Sequence, residues 1–399
     1  MTPRIKTAIG TCVGLVLLSA CASTPTAEKS AEIKANPKEL HLALTGGFQS
    51  ELEPCGCQFN PLGGVGRSWR ALGRWRNAGE IVHAFSAGAS FTPDAFELSH
   101  VEQYRRKAEA TVDSLNFLGF DAVSPSAADL RLGLETLQKL KSRAQFAFVS
   151  SDLYNKKSHI PIFERYREEA GANEVSLFVV GLSGANGVSA QDSDIEVLEP
   201  AAALRPILGD LDRRPRVIVL LSSLGRSANE RLAKEFPQIN VILGAGDTER
   251  TAGAEQIGRK TLYVSPYDRG ASWTRVTLDA KPGFTGFYNE GAFFTVEDTL
   301  AELESQKYHV ETALSQSSHS RHTASISVLK KRKQEIAQEI ASLSVRDVPP
   351  GPTVANFAST VELMDTTLDS SQSPTNAIVD KYKAETRELS LNEIQPAAN

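Results

Sequence analysis

Short apolar runs alternate with amphipathic segments through most of the chain. Apolar runs bounded by polar segments are typical of strands, whereas apolar residues that recur every three or four positions indicate helices. Strands are predicted over 40–45, 80–85, 146–150, 177–181, 217–221 and 241–243, and helices over 103–118, 134–142 and 228–235. Because strands and helices alternate along the chain, the pattern predicts an α/β architecture.

The pattern changes after residue 290. Apolar residues recur at 3-7-4 spacing and then at 3-7-4-3 spacing, which predicts a heptad-like stripe on two helices separated by a serine-rich segment. The residues of this stripe are Leu300, Leu303, Val310, Leu314, Ile326, Leu329, Ile336, Ile340 and Leu343. Two heptads per helix is short for a coiled coil between chains, so we predict a helical hairpin over 291–345 and keep the coiled coil as the alternative. The extension 346–399 is expected to contain a strand over 356–364 and a helix over 374–388.

The first 20 residues have the features of a targeting segment. Arg4 and Lys6 precede an apolar run, 8–20, that is too short to span a bilayer as a mature helix. The run closes in Leu-Ser-Ala-Cys, which resembles a bacterial lipobox, so we expect residues 1–20 to be a lipoprotein signal peptide and Cys21 to carry the lipid, including palmitate. A simple secretory signal with a chance cysteine is the alternative.

The residues after the lipobox predict where the protein resides. Ala22, not Asp, follows Cys21, and the sorting rule of such lipoproteins then implies the outer membrane, with the protein facing the periplasm. Residues 21–38 are small and polar and are expected to form a flexible tether. The membrane, through this lipid anchor, is therefore an expected partner.

Composition limits the remaining partners. The 399 residues carry a formal charge of −5 with a pI near 5.9, which gives no reason to expect nucleic acid. One basic run, 330–333, is expected to be a solvated helix face rather than a phosphate-binding patch, because Glu335 and Glu339 lie close by. An envelope protein remains a candidate partner.

Several motifs follow one another in the order and spacing of one enzyme family. Residues 42–49 resemble the first strand of bacterial 5′-nucleotidase-type calcineurin-like phosphoesterases, which normally ends in Thr-Asn-Asp-x-His. Pro54-Cys55-Gly56-Cys57 with 61–67 resembles the Pro-Cys-Gly-Cys…Pro-Leu-Gly-Gly variant of one branch. The segments 85–90, 119–130, 219–225 and 241–247 resemble the other ligand motifs, and 263–265 and 273–278 resemble the closing strands. The resemblance covers roughly residues 40 to 280 and implies a four-layer α/β/β/α sandwich over 39–290.

The family's metal ligands fall on residues that lack suitable donor atoms. These positions are Gly47, Gln49, Ala89, Ala127, Ala128, Ser223 and Ala245. A two-metal hydrolase holds its ions about 4 Å apart in a cage of protein ligands. Gly and Ala side chains offer no donor, and neutral Gln or Ser is a poor substitute for imidazole or carboxylate. We therefore expect no metal site and no catalytic residue.

Other potential ligands do not compensate for this loss. Asp129 and Asp247 are each a potential single ligand, but we interpret both as ordinary loop carboxylates at strand ends. Among the seven histidines only His319 and His322 have ligand-like spacing, and they lie in a serine-rich turn that is expected to be solvated. No Cys-x-x-Cys-His motif occurs, so no haem is expected, and no other cofactor is indicated.

Cys55 and Cys57 are the remaining chemical feature, because Cys12 is lost with the signal and Cys21 is lipidated. In an oxidising periplasm these two thiols could pair, bind a soft metal or exchange disulfides. A Cys-x-Cys disulfide closes a strained ring that is easily reduced, and two thiolates alone leave a zinc or copper site incomplete. A purely structural role beside the Gly-Gly turn at 63–64 is equally consistent.

Two classes of function remain. The first is an outer-membrane lipoprotein whose degenerate domain is non-catalytic and acts in envelope binding or assembly, with the hairpin as a contact surface. The second is a periplasmic phosphoesterase, a nucleotide hydrolase with a displaced site, or a thiol redox or metal module that uses Cys55 and Cys57. The loss of ligands favours the first class.

Overall fold

The computed structural model describes most of the chain between residues 38 and 394. The described ranges are 38–56, 60–77, 80–93, 95–184, 194–246, 249–289, 303–304, 307–315, 323–344, 354–369 and 371–394. Several predicted features lie outside them, namely the signal peptide and Cys21, most of the tether, Cys57, Asp247, Leu300, and the pair His319 and His322. None of the helices within these ranges is long and apolar enough to cross a bilayer.

The first sheet has seven strands in the order β14-β15-β13-β1-β2-β3-β4. Their bounds are β1 Leu40–Gly46, β2 Val82–Ala87, β3 Ala122–Ser124, β4 Ala147–Phe148, β13 Ser272–Asp279, β14 Gly286–Asn289 and β15 Val354–Leu363. Strands β1 to β4 pair in parallel, and β13 pairs antiparallel with both β1 and β15. Every residue of β1 is buried, and its sequence is accordingly mostly apolar, with His41 and Thr45 as buried polar exceptions.

The second sheet has six strands in the order β11-β12-β10-β9-β7-β6. Their bounds are β6 Tyr166–Ala172, β7 Val175–Leu182, β9 Arg216–Ser222, β10 Val241–Gly244, β11 Glu255–Ile257 and β12 Thr261–Val264. The four central strands β7, β9, β10 and β12 are parallel. A separate small sheet pairs β5, Leu153–Asn155, with β8, Ile195–Val197.

Helices cover the outer faces of both sheets. They are α1 Val65–Asn77, α2 Val101–Leu118, α3 Leu134–Arg143, α4 Pro200–Gly209, α5 Arg226–Glu235, α6 307–315, α7 Thr323–Ser344 and α8 Thr375–Ile394. One apolar cluster joins the first sheet to α1, α2, α3 and α8, a second fills the space between the sheets, and a third joins the second sheet to α4 and α5. The predicted α/β/β/α sandwich is therefore confirmed.

The helices α6 and α7 lie between two neighbouring strands in the sequence. Strand β14 precedes them, β15 follows them, and the two strands pair in parallel. Lys333 of α7 forms an ion pair with Glu311 of α6 at 2.8 Å, so the two helices are in contact at this point. Leu303 and Ile336 of the predicted stripe are buried, yet neither belongs to the three apolar clusters of the sandwich.

The segment after the helical pair is part of the sandwich. Strand β15 lies inside the first sheet, between β14 and β13, and α8 packs on α2. Arg67 of α1 binds the turn after β15, because it donates to Asp369 at 2.7 Å and to the carbonyl oxygen of Met364 at 2.9 Å. The strand and the helix predicted for the extension are both present, and they complete the sheet and its helical cover.

Candidate functional site at the strand ends

The carboxyl ends of parallel strands from both sheets meet at one edge of the sandwich. Ligand sites of open α/β sheets occur at this kind of edge. The loops that follow β1, β2, β3, β9 and β10 carry all seven positions at which the resemblance places metal ligands. The structure therefore brings these seven positions together at one edge, where a dinuclear metal centre would lie.

The loops after β1 and β2 are in direct backbone contact. The N–H of Gln49 donates to the carbonyl oxygen of Ala89 at 2.8 Å, and the N–H of Ser50 donates to that of Ser90 at 3.0 Å. A Cβ atom on Gly47 would lie only 2.1 Å from the carbonyl oxygen of Ala89. No side chain can therefore be added at position 47 unless one of the two loops moves.

The loops after β3, β9 and β10 are also held by backbone hydrogen bonds, to residues at or just after the ends of β7 and β9. The N–H of Ala127 donates to the carbonyl oxygen of Ser183, and that of Ser223 donates to Leu182, both at 3.0 Å. The N–H of Ala245 donates to Ser222 at 2.8 Å. A Cβ on Gly88, in the first sheet, would lie 2.8 Å from the Cβ of Ala245, so the loops of the two sheets also touch each other.

The two polar side chains at these positions, Gln49 and Ser223, differ in their contacts. Gln49 adopts a left-handed backbone conformation, with φ of 52°, and its amide nitrogen donates to Asp268 at 3.1 Å. The hydroxyl of Ser223 is buried and makes no hydrogen bond to any described residue. Within the described ranges no group of three or more His, Cys, Asp or Glu residues is arranged to hold a metal ion. The residues present therefore do not fit a dinuclear centre.

Asp129 is not the ordinary loop carboxylate that its position suggests. It is fully buried in a short 3-10 turn, and its carboxylate accepts hydrogen bonds from the N–H groups of Phe91 at 2.8 Å and Ser126 at 2.9 Å. A third N–H, from Ser90, lies 3.3 Å away. Burial raises the pKa of Asp129, whereas these N–H donors act in the opposite direction. The carboxylate cross-links the loops after β2 and β3.

A second buried carboxylate, Asp152, was not predicted from the sequence. It accepts hydrogen bonds from the hydroxyl of Ser150 at 2.6 Å, from the N–H of Ser183 at 3.0 Å and from the hydroxyl of Ser183 at 2.8 Å. Burial raises the pKa of Asp152, and its serine donors oppose that effect. The sequence signal for this site was an aspartate that lies among serines just after a buried strand. That signal does not show that Asp152 is buried, because its burial depends on Ser183 in the distant loop after β7.

The cysteine motif lies elsewhere, near the start of α1. The N–H of Cys55 donates to the carbonyl oxygen of Leu62 at 2.9 Å, and the N–H of Leu62 lies 3.3 Å from the sulfur of Cys55. These two contacts close the loop that carries the motif. A neighbouring cleft of about 240 Å³ lies between this loop and α8, with Glu53, Arg67 and Asn376 among its lining residues. None of the seven strand-end positions lines this cleft.

Comparison with known proteins identifies the fold. Neither a protein-family model nor a curated protein matches the sequence. Among solved structures, the chain resembles the Thermus thermophilus sulfate thiohydrolase SoxB, with 15% identity, a TM-score of 0.59, and coverage of 87% of this chain and 61% of that one. It also resembles a 5′-nucleotidase precursor from Thermus thermophilus, with 16% identity, a TM-score of 0.60 and coverage of 88% and 60%.

A third similar structure is smaller. The calcineurin-like phosphoesterase YfkN from Bacillus subtilis has 11% identity and a TM-score of 0.56, and the match covers 88% of this chain and 98% of that one. The chain thus spans about three fifths of the length of the two Thermus proteins and nearly all of the YfkN structure. The protein has the fold of the 5′-nucleotidase-like and calcineurin-like phosphoesterases, and identities this low establish the fold alone.

Proposed function

We propose that this protein is a non-catalytic lipoprotein of the outer membrane whose phosphoesterase-like domain acts in envelope binding or assembly. The observation that carries the proposal is the chemistry of the strand ends. The seven positions that the resemblance assigns to metal ligands carry Gly, Ala, Gln or Ser, and the two carboxylates found nearby, Asp129 and Asp152, are occupied by protein donors. Without a cage of strong ligands, two-metal hydrolysis has no means of holding its ions.

The anchoring part of the proposal is supported by the sequence. The lipobox-like residues 18–21 end a short apolar segment, and the polar tether 21–38 separates Cys21 from the first strand. More than one acyl chain gives stable anchoring, which a single chain does not. The domain would therefore act close to the membrane surface, with its partners in the periplasm.

The helical pair α6 and α7 is the proposed contact surface. Strand β15 returns to the sheet after it, so the pair is an insertion between paired strands and is not needed to link separate domains. Tyr308 and Val328 on these helices are about two thirds exposed, at 67% and 66%. Single exposed apolar side chains are normal on a protein surface, so the proposal rests on the position of the pair as an insertion outside the three apolar clusters of the sandwich.

A hydrolysis panel tests the proposal against the phosphoesterase alternative. The full-length protein, purified in detergent, should show no Mn²⁺- or Zn²⁺-dependent turnover of nucleotides or generic phosphoesters above a protein-free control. An activity that needs added metal and disappears in a folded Asp129→Ala variant would establish a displaced catalytic site and refute the proposal.

A further inference from the structure

We infer that the strand-end face is sterically closed to a dinuclear centre, and that Asp129 and Asp152 act as the cross-links that hold it closed. The proposed function concerns missing donor atoms, whereas this inference concerns the backbone and two carboxylates of the same face. The inference rests on the proposed function, because it explains why the same face would hold no metal ions. If it is right, returning the missing ligands to the sequence does not return metal binding.

The first argument is steric. An aspartate at position 47 needs a Cβ atom, and that atom would lie 2.1 Å from the carbonyl oxygen of Ala89 and 2.5 Å from its carbonyl carbon. Both are backbone atoms, which cannot rotate away as the end of a flexible side chain can. Since Gly88 touches Ala245 of the opposite sheet, moving the loop after β2 would also disturb the loop after β10.

The second argument is that backbone hydrogen bonds join most of the strand ends on this face, and the step from β2 to β3 is made by the side chain of Asp129 instead. Arg269 donates to Gly47 at 2.7 Å, which joins the loop after β12 to the loop after β1. The bonds already described continue the series from β1 to β2, from β3 to β7, from β7 to β9 and from β9 to β10. At these backbone-bonded steps the loops are held through groups that side-chain substitutions other than proline leave in place.

The third argument is the position of the two carboxylates. Asp129 supplies the link between β2 and β3, and Asp152 links the loop after β4, in the first sheet, to Ser183 after β7, in the second. A carboxylate that accepts several N–H and O–H bonds in a buried site forms stronger bonds than a neutral acceptor would. Asp129 and Asp152 are thus positioning residues that join the loops without any ion.

A ligand-restoration experiment tests whether the face as a whole is closed to metal ions; the clash at position 47 itself is measured separately by Gly47→Ala. The variant carries Ala89→Asp, Ala127→Asn, Ala128→His, Ser223→His and Ala245→His, all at positions that already have a Cβ, and retains Gly47. Full-length wild type and variant are titrated with Mn²⁺ alone in a calorimeter, and folding is checked by circular dichroism. We expect neither protein to bind two Mn²⁺ ions. Two ions bound by the variant alone would overturn the closure but leave the proposed function intact, whereas two ions bound by wild type would refute the proposed function.

Hydrogen exchange keeps the inference testable if the variant fails to fold. In the wild-type protein the amides of Gln49, Ala127 and Ser223 should be protected, and adding Mn²⁺ or a chelator should not change their exchange rates. Rates that respond to either reagent would show that a metal ion, not the protein alone, holds the loops.

The same measurement tests the cross-links. Asp129→Ala should raise the exchange rate at Phe91, and Asp152→Ala should raise it at Ser183, because each change removes both acceptor oxygens; the expected factor is about tenfold or more, as for the loss of a buried hydrogen bond. The matched control is Asp212→Ala on the surface, where the side chain is 53% exposed and, among the described residues, bonds to arginines 214 and 216. It should change neither rate. Unchanged exchange at Phe91 and Ser183 in folded variants would refute the role assigned to the two carboxylates.

Discussion

Replacing Gly47 with alanine gives a direct measure of how tightly the strand-end loops are packed. The change adds one methyl group, and Gly47 has no left-handed backbone conformation that alanine would resist. The cost is therefore steric, because the new Cβ would lie 2.1 Å from the oxygen, 2.5 Å from the carbon and 2.7 Å from the nitrogen of the Ala89 backbone.

The magnitude follows from two contributions. Forcing an extra methyl group into a filled site costs about 1–3 kcal/mol. Moving Ala89 away also weakens the bond that it accepts from Gln49, which contributes about 1 kcal/mol. We expect Gly47→Ala to lower the free energy of unfolding by about 2–4 kcal/mol, measured by urea denaturation with circular dichroism.

Gly73 provides the matched control. It lies within α1, and a Cβ added there would meet no atom within 4 Å. Because alanine is favoured over glycine inside a helix, Gly73→Ala should raise the free energy of unfolding by about 0.5–1 kcal/mol. If Gly47→Ala were as stable as wild type while the control behaved as expected, the loops would be free to separate and the closed face would be refuted.

Three further predictions concern the anchor, the cysteines and the C-terminal segment. Cys21→Ser should block processing, so that a precursor with its apolar segment accumulates and is detected on an immunoblot. Lipidation would be contradicted if the variant were processed normally and if salt removed the wild-type protein from membranes. Replacing Cys55 and Cys57 by serine should leave partner binding near normal with a small stability loss, whereas loss of function in a folded Cys55→Ser protein would favour a redox or metal role. Arg67→Ala should lower the free energy of unfolding by about 2–4 kcal/mol, because it removes the buried hydrogen bonds that Arg67 makes to Asp369 and Met364. The control is Arg70→Ala, which removes an exposed bond to the Asp369 carbonyl and should lower the free energy of unfolding by less than about 1 kcal/mol.

The sequence predicted several of the buried parallel strands, because they are buried on both faces, but it missed β3, which has only three residues. Strands β9 and β10 are centred on continuous apolar runs. No predicted bound of these two strands differs from the observed one by more than one residue. Helix α1 was missed, since it is rich in arginine and buries only a narrow face. Strand β6 was missed because it is an edge strand whose residues are largely polar and exposed.

Features that depend on distant contacts could not be predicted. The pairing of β15 with β13 joins residues that are 77 to 91 positions apart, from Asp279 with Asn356 to Ser272 with Leu363, and nothing in either segment specifies the other. The same limitation applies to the carboxylates. Asp129 and Asp152 resemble ordinary loop residues in the sequence, and only the meeting of separate loops buries them. The proposed loss of metal donors, in contrast, rests on residue type at the positions that the resemblance assigns to ligands.

The central claim is that this phosphoesterase-like domain works without metal ions. Its most direct test is the metal content of full-length protein purified without chelator, dialysed against Mn²⁺ and measured by inductively coupled plasma mass spectrometry. The account predicts far less than one Mn²⁺, Zn²⁺ or Fe ion per chain, unchanged between wild type and the Asp129→Asn variant. Two tightly held ions per wild-type chain would contradict it.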